Sequence, residues 1–137
     1  KGRYSGRDMQ RFARRYGVTL NQNPHFPVNT LMAMRLAAAA VDSDQRDTVL
    51  AALFEGMWLQ ERDLSDLDVL GRTLAEAGLD SAHWATLAQD QAVKDNLKAT
   101  TEEAVERGVF GAPTFFVGEE MFFGQDRLDF VEEALRA

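Results

Sequence analysis

Few side chains in this sequence can do chemistry unaided, and two short stretches matter as much for their backbone as for their residue types. Ala112-Pro113 opens an apolar run, and Gln125-Asp126-Arg127 stands where the last helix should begin. Pro113 has no N–H to give a ladder, which does little harm at the first position of a strand. Were the Ala112-Pro113 bond cis, the chain would bend sharply. The N–H and C=O of Ala112 would then face a cleft, where an extended peptide could add as a short strand. Asp126 is a natural N-cap, able to hold free N–H groups and complement the helix dipole for about 1 kcal/mol. On spacing alone that structural role is the favoured one.

The rest of the inventory excludes more than it offers. The chain has no cysteine, so it performs no thiol–disulfide exchange, forms no disulfide and builds no cysteine metal site. His25 and His83 are far apart, with no carboxylate at metal-ligand spacing, and no metal is expected. There is no GxSxG, no phosphate-binding glycine loop and no helix with paired histidines. A net charge of −7 argues against nucleic acid as a partner, because no basic stripe is present to neutralise phosphates. No apolar run approaches the ~20 residues of a membrane span, so no membrane partner is expected.

The elements that must position the two stretches can be read from periodicity. Met9, Phe12, Ala13 and Tyr16 give a helix over Asp8–Tyr16, after a polar lead from Lys1 to Gly6, and Gly17 stops it. Val18 to Pro27 reads as an extended loop. Asn29 is a fair cap for a helix over Thr30–Val41, and Asp42 with Gln45 has capping-box spacing before a helix over Asp44–Gln60. That helix places Val49, Leu50, Leu53, Phe54, Met57 and Trp58 on one face. Trp58 either packs in the core or lines a ligand pocket. Ser65 and Asp68 repeat the box before Leu67–Ala77, Asp80 caps a short helix to Leu87, and a longer one covers Gln91–Arg107. Thr114–Val117 and Met121–Phe123 read as a hairpin around Gly118-Glu119-Glu120, and a helix follows from Asp126. Glu119-Glu120 reads as a solvated turn tip. A hairpin alone is marginal in water, so Phe115, Val117, Phe122 and Phe123 need further partners.

The segment FGAPTFFVGEEMFFGQDRL, Phe110–Leu128, resembles the glutathione-dependent branch of the DsbA-like family. That branch contains the bacterial 2-hydroxychromene-2-carboxylate isomerases and the kappa-class glutathione transferases. KGRYSGRDMQRFA at the amino end and VKDNLKATTEEAVERGVFG at Val93–Gly111 resemble it too. The resemblance implies an α/β thioredoxin-like fold carrying a large all-helical insertion. Residues 1–107 would be the helical part, and 108–137 the C-terminal β-β-α part. No leading β-α-β unit is legible, so the chain reads as mostly α plus a C-terminal hairpin and helix. Roughly 60–80 residues are therefore expected before Lys1 in the native protein.

The resemblance also implies chemistry. Glutathione would be the cofactor, with its cysteinyl part on the backbone at Ala112 and Pro113 and its γ-glutamyl end at Gln125 and Asp126. The substrate pocket would take in Lys1, Tyr4, Trp58 and Thr114. The family's thiolate-activating serine sits on a helix with no counterpart here, and Ser5, Ser43, Ser65 and Ser81 do not match its motif. The implied activity is isomerisation of a small carboxylated aromatic by reversible thiolate addition, in a cytoplasmic homodimer. The alternatives are a kappa-like transferase, or a DsbA-like oxidoreductase if Cys-x-x-Cys lies upstream.

Overall fold

The structure is a computed structural model that describes residues 2–137, with side chains from Tyr4 onward. Lys1, one of the residues expected in the substrate pocket, lies outside the described residues. Seven helices and one hairpin follow in order. Helices α1 (Gly2–Tyr16), α2 (Leu31–Ala40), α3 (Arg46–Trp58), α4 (Leu67–Glu76), α5 (Ser81–Leu87) and α6 (Gln91–Glu106) come first. Strands β1 (Thr114–Val117) and β2 (Glu120–Phe123), a 3-10 turn at Gln125–Arg127 and helix α7 (Leu128–Arg136) come after. The chain divides into two compact units, Lys1–Leu97 and Lys98–Ala137, with the division inside α6. It is mostly helical with a C-terminal hairpin and helix, as the sequence reads, and no described helix is long and apolar enough to cross a membrane.

In the first unit, α2 to α5 enclose a core that includes Leu36, Val49, Leu53, Leu74 and Trp84. Burying each large apolar side chain is worth about 1.5–3 kcal/mol. The buried side of α3 keeps Val49, Leu53 and Met57 of the predicted face but is turned toward Ala52 and Gly56. Val49, Ala52, Leu53, Gly56 and Met57 are buried, whereas Phe54 is 65% exposed and Leu50 and Trp58 are half-buried. Packing against α4 explains this. A Cβ on Gly56 would lie only 3.0 Å from Cγ2 of Thr73, so the small pair Ala52 and Gly56 lets the two helices approach closely. Phe54, two residues from each, is turned outward.

Helix α1 starts at Gly2, not Asp8, because nothing before Asp8 blocks a helix. Gly6 costs about 0.5–1 kcal/mol there without breaking it. Of its four predicted face residues, Ala13 alone is buried; Met9 and Tyr16 are exposed.

The predicted caps shift as well. Asn29 Oδ1 accepts from Leu31 N at 3.1 Å, although the capping position itself falls to Thr30. Asp42 does not cap α3. Ser43 Oγ accepts from Gln45 N at 3.0 Å, and the Gln45 side-chain oxygen, Oε1, accepts instead from Trp84 Nε1 at 3.3 Å. At α4 the cap is Asp66, whose Oδ1 accepts from the N–H groups of Asp68 and Val69. Ser65 turns to Asp63, and its hydroxyl and N–H hold that carboxyl below the usual range. Asp80 caps α5 as predicted, accepting from His83 N at 3.0 Å.

Asn23 organises the loop before α2, a role that nothing in its sequence neighbourhood signals. It is 2% exposed. Its Nδ2 donates to the carbonyls of Met57 and Arg62, both at 2.9 Å, and its Oδ1 accepts from His25 N at 2.8 Å. Asn23→Ala would leave those buried groups without partners, at about 1–3 kcal/mol. Chemical denaturation should show that loss. A loss within ±0.5 kcal/mol, the usual range for a surface substitution, would mean that water replaces the amide.

In the second unit β1 and β2 pair antiparallel, Thr114 opposite Phe123 through to Val117 opposite Glu120. Glu120 belongs to the strand, so the turn is the two residues Gly118-Glu119, tighter than the three predicted. The Arg107 guanidinium lies 3.5 Å from the centroid of the Phe116 ring, a cation–π contact on one face of the sheet. Helix α7 packs on β1, yet Leu128, Phe130 and Leu135 remain exposed.

Candidate functional site

The corner between the hairpin and the last helix is built around Gly124. Its N–H donates to Pro113 O at 2.9 Å, which extends the ladder by one pair beyond Thr114 and Phe123. Pro113 thus stands at a position where its missing N–H costs the sheet nothing more than one end bond. Thr114 Oγ1 donates back to Gly111 O at 2.7 Å and fixes the approach to the proline. The Phe110 and Phe123 rings pack with centroids 4.7 Å apart. A Cβ on Gly111 would fall 2.8 Å from Cε2 of Phe123, so any larger residue there must displace that ring. The Ala112-Pro113 bond is cis. Ala112 is exposed, and no hydrogen bond among the described residues engages its N–H or C=O.

Past Gly124 the chain makes one 3-10 turn, closed by Arg127 N donating to Gly124 O at 3.2 Å. Gly124 has φ +106 and ψ 146, a conformation essentially confined to glycine. A Cβ there would also lie 2.5 Å from Asp126 Oδ1. The carboxylate of Asp126 therefore folds back over the bare Cα of Gly124, while its Oδ2 accepts from Arg127 NH1 at 2.9 Å. Both side chains keep close to half their surface in water, 44% and 49%.

Asp126 is not the N-cap that its type suggests. The 3-10 turn is capped at Gly124, and α7 begins after Arg127, without a side-chain cap bond at either place. The intervening turn moves the start of α7 two residues on, out of reach of Asp126, and leaves the carboxylate beside a guanidinium.

Of the predicted site residues, Ala112, Pro113, Thr114, Gln125 and Asp126 all lie in the second unit, and Gly124 joins their two stretches. Tyr4 and Trp58 lie in the first unit. Tyr4 is on α1, 65% exposed, with the Arg11 guanidinium 5.9 Å from its ring centroid. Trp58 is half-buried against Phe26, ring centroids 6.1 Å apart, and lines a groove between α2 and α3. No separate site role is assigned to Gly124, Gly111 or Arg127 from the sequence, although Arg127 belongs to the polar triplet singled out there. The signal available for Gly124 was a glycine directly between the end of a strand and a polar triplet.

Exposed strand-edge backbone beside an acid–base pair suits a ligand with a peptide-like body and a zwitterionic head. A profile of the DSBA-like thioredoxin domain matches residues 1–136. The chain belongs to the DsbA-like thioredoxin-domain family. Within that family it is 30% identical over 128 residues to a 2-hydroxychromene-2-carboxylate isomerase of Sphingobium xenophagum, covering 93% of this chain and 65% of the relative. The isomerase of the same name from Pseudomonas putida is 31% identical over 132 residues, covering 93% and 62%. A solved 2-hydroxychromene-2-carboxylate isomerase superposes with a TM-score of 0.80 at 27% identity, over 97% of this chain and 64% of that one. The chain therefore spans a little under two thirds of the length of these DsbA-like relatives.

Proposed function

We propose that this chain is part of a glutathione-dependent isomerase similar to 2-hydroxychromene-2-carboxylate isomerase. The observation that carries the reading is the Gly124 N–H on Pro113 O, which ties the exposed backbone of Ala112 to the Asp126–Arg127 pair within one short corner. Glutathione fits both halves. Its cysteinyl peptide has an N–H and a C=O to match those of Ala112. Its γ-glutamyl head carries an ammonium for Asp126 and a carboxylate for Arg127, both charge-assisted contacts. Gln125 adds an amide donor and acceptor beside them. Bound there, glutathione would supply a thiolate nucleophile that is regenerated at each turnover.

What this chain's own residues contribute is placement. Ala112 and Pro113 fix the tripeptide's direction, and Asp126 with Arg127 fixes its far end, so that the reactive sulfur is held in one orientation. The substrate class follows from the similar isomerases: a small aromatic carrying a carboxylate. Cytoplasmic location and a homodimer belong to the same proposal. Return of glutathione unchanged would separate isomerisation from the kappa-like alternative, which leaves a thioether product.

Calorimetry with reduced glutathione tests the site. Asp126→Ala should weaken binding at least about tenfold, the size of a lost charge-assisted contact. Asp126→Asn should fall between, keeping an acceptor without the charge. Unchanged affinity in the alanine variant would end the assignment.

A further inference from the structure

Met32, on α2, has its sulfur between two N–H donors. Arg35, one turn along the same helix, donates from NH1 to Sδ at 3.7 Å, and Gln89, in the turn between α5 and α6, donates from Nε2 at 3.8 Å. A thioether is a weak acceptor, so neither donor is well matched. Arg35 is the odder of the two. It is partly buried and permanently charged, yet among the described residues its side chain meets no carboxylate and no oxygen acceptor. Charges withdrawn from water are ordinarily paired. Met32 is itself partly buried and packs against the core of the first unit. The other methionines differ. Met9 and Met34 are 46% and 48% exposed, without a donor on either sulfur among the described residues. Met57 accepts from Asn23 Nδ2 at 3.3 Å, but it is buried and its donor is a neutral amide.

We propose that Met32 is a site of reversible oxidation by peroxide, with its sulfoxide held by Arg35 and Gln89. A sulfur lone pair attacks one oxygen of hydrogen peroxide, the O–O bond breaks and an S–O bond forms. The proton on the transferred oxygen passes to the departing hydroxide, which leaves as water. Sulfur is thereby oxidised to the sulfoxide and the peroxide reduced. Arg35 favours both the step and its product. Its N–H groups face the negative charge that grows on the departing oxygen, and afterwards they bond the sulfoxide oxygen, a stronger acceptor than sulfur. Methionine oxidation ordinarily disrupts packing, because it puts a polar group where none can be satisfied. Here two donors already point at the place where the oxygen arrives. Through Gln89 that oxygen also ties α2 to the turn between α5 and α6. Sulfoxide reductases return such a residue to the thioether. All three residues lie in the first unit, and no residue of the glutathione corner takes part.

Timed exposure of the full chain to dilute hydrogen peroxide, followed by digestion and tandem mass spectrometry, tests this, since fragment ions separate Met32 from Met34. In the folded chain Met32 should oxidise at least about threefold faster than Met34, although Met34 is the more exposed; part of one charge-assisted hydrogen bond in the transition state is enough for that ratio. In urea the two rates should become equal. Arg35→Leu should remove the lead of Met32. Gln89→Ala, a change at an exposed position, should reduce it, and keeps the test usable should the arginine variant fail to fold. Chain oxidised at Met32 alone, separated by chromatography, should melt no lower than the untreated chain. Met32 oxidising no faster than Met34 in the folded chain, or a lead that survives both substitutions, would overturn the proposal. So would a melting point several degrees lower after oxidation at Met32, since the sulfoxide would then be a lesion in α2.

Discussion

Trp84→Ala should remove about 3–5 kcal/mol of stability, the usual cost of truncating a buried indole. Trp84 is 2% exposed and belongs to the core cluster with Leu36, Val49, Leu53 and Leu74, which come from three other helices. Its own helix, α5, is seven residues long, too short to persist without tertiary contacts. The ring is therefore what holds α5 in place. It also gives Gln45 its partner at the start of α3. A domain of this size has about 5–15 kcal/mol in all, so the variant should lose roughly a fifth of it or more. Urea denaturation followed by far-ultraviolet circular dichroism will measure the change. Trp84→Phe keeps most of the volume and should cost clearly less. An alanine variant within about 1 kcal/mol of the native chain would show that α5 contributes little to the first unit.

Gly124→Ala is expected to do the most damage to the second unit. Two independent penalties meet at one atom. The backbone conformation at φ +106 and ψ 146 costs a residue with a Cβ on the order of 1–3 kcal/mol. The added carbon would also sit 2.5 Å from Asp126 Oδ1, so the carboxylate must swing away from its place. Glutathione affinity should then fall about as far as it does for Asp126→Ala, about tenfold. In an Asp126→Ala background, the added Gly124→Ala should cost little further affinity, because both act through the same carboxylate. Gly118→Ala is the control. It also has positive φ, at +58, but open space around it, and should cost about 1 kcal/mol with no effect on glutathione. Thermal melts and calorimetry on the variants decide the matter. Full glutathione affinity in Gly124→Ala would mean that the corner does not hold the ligand.

The two variants also mark where sequence reasoning succeeds and fails. Helix existence was legible almost everywhere, because apolar residues at intervals of three and four leave few other choices and because Gly17 and Gly78 stop helices from within the sequence. Caps were not. Asp42, Ser65 and Asp126 each have a suitable neighbour at a suitable spacing. At α4 a nearer competitor, Asp66, took the position; at α3 the position fell to Gln45 and at the last helix to Gly124 and Arg127, without a side-chain cap bond. Capping requires extended, non-helical backbone angles at the cap residue, as at Asp66 and Asp80, and those are set by how the flanking helices pack.

What the residues alone determined is the order of elements, the hairpin between Thr114 and Phe123, the absence of thiol chemistry in this chain, and the resemblance carried by Phe110–Leu128. What only the folded chain decided is which face of α3 is buried, that Trp84 and Asn23 rather than Phe54 hold the first unit, and that Arg127 shares the Asp126 carboxylate. The reason is the same for each. Periodicity and propensity are local and survive in any tertiary setting, whereas burial and partnership depend on what arrives from elsewhere in the chain: Thr73 against Gly56, Met57 and Arg62 against Asn23, and Pro113 against Gly124.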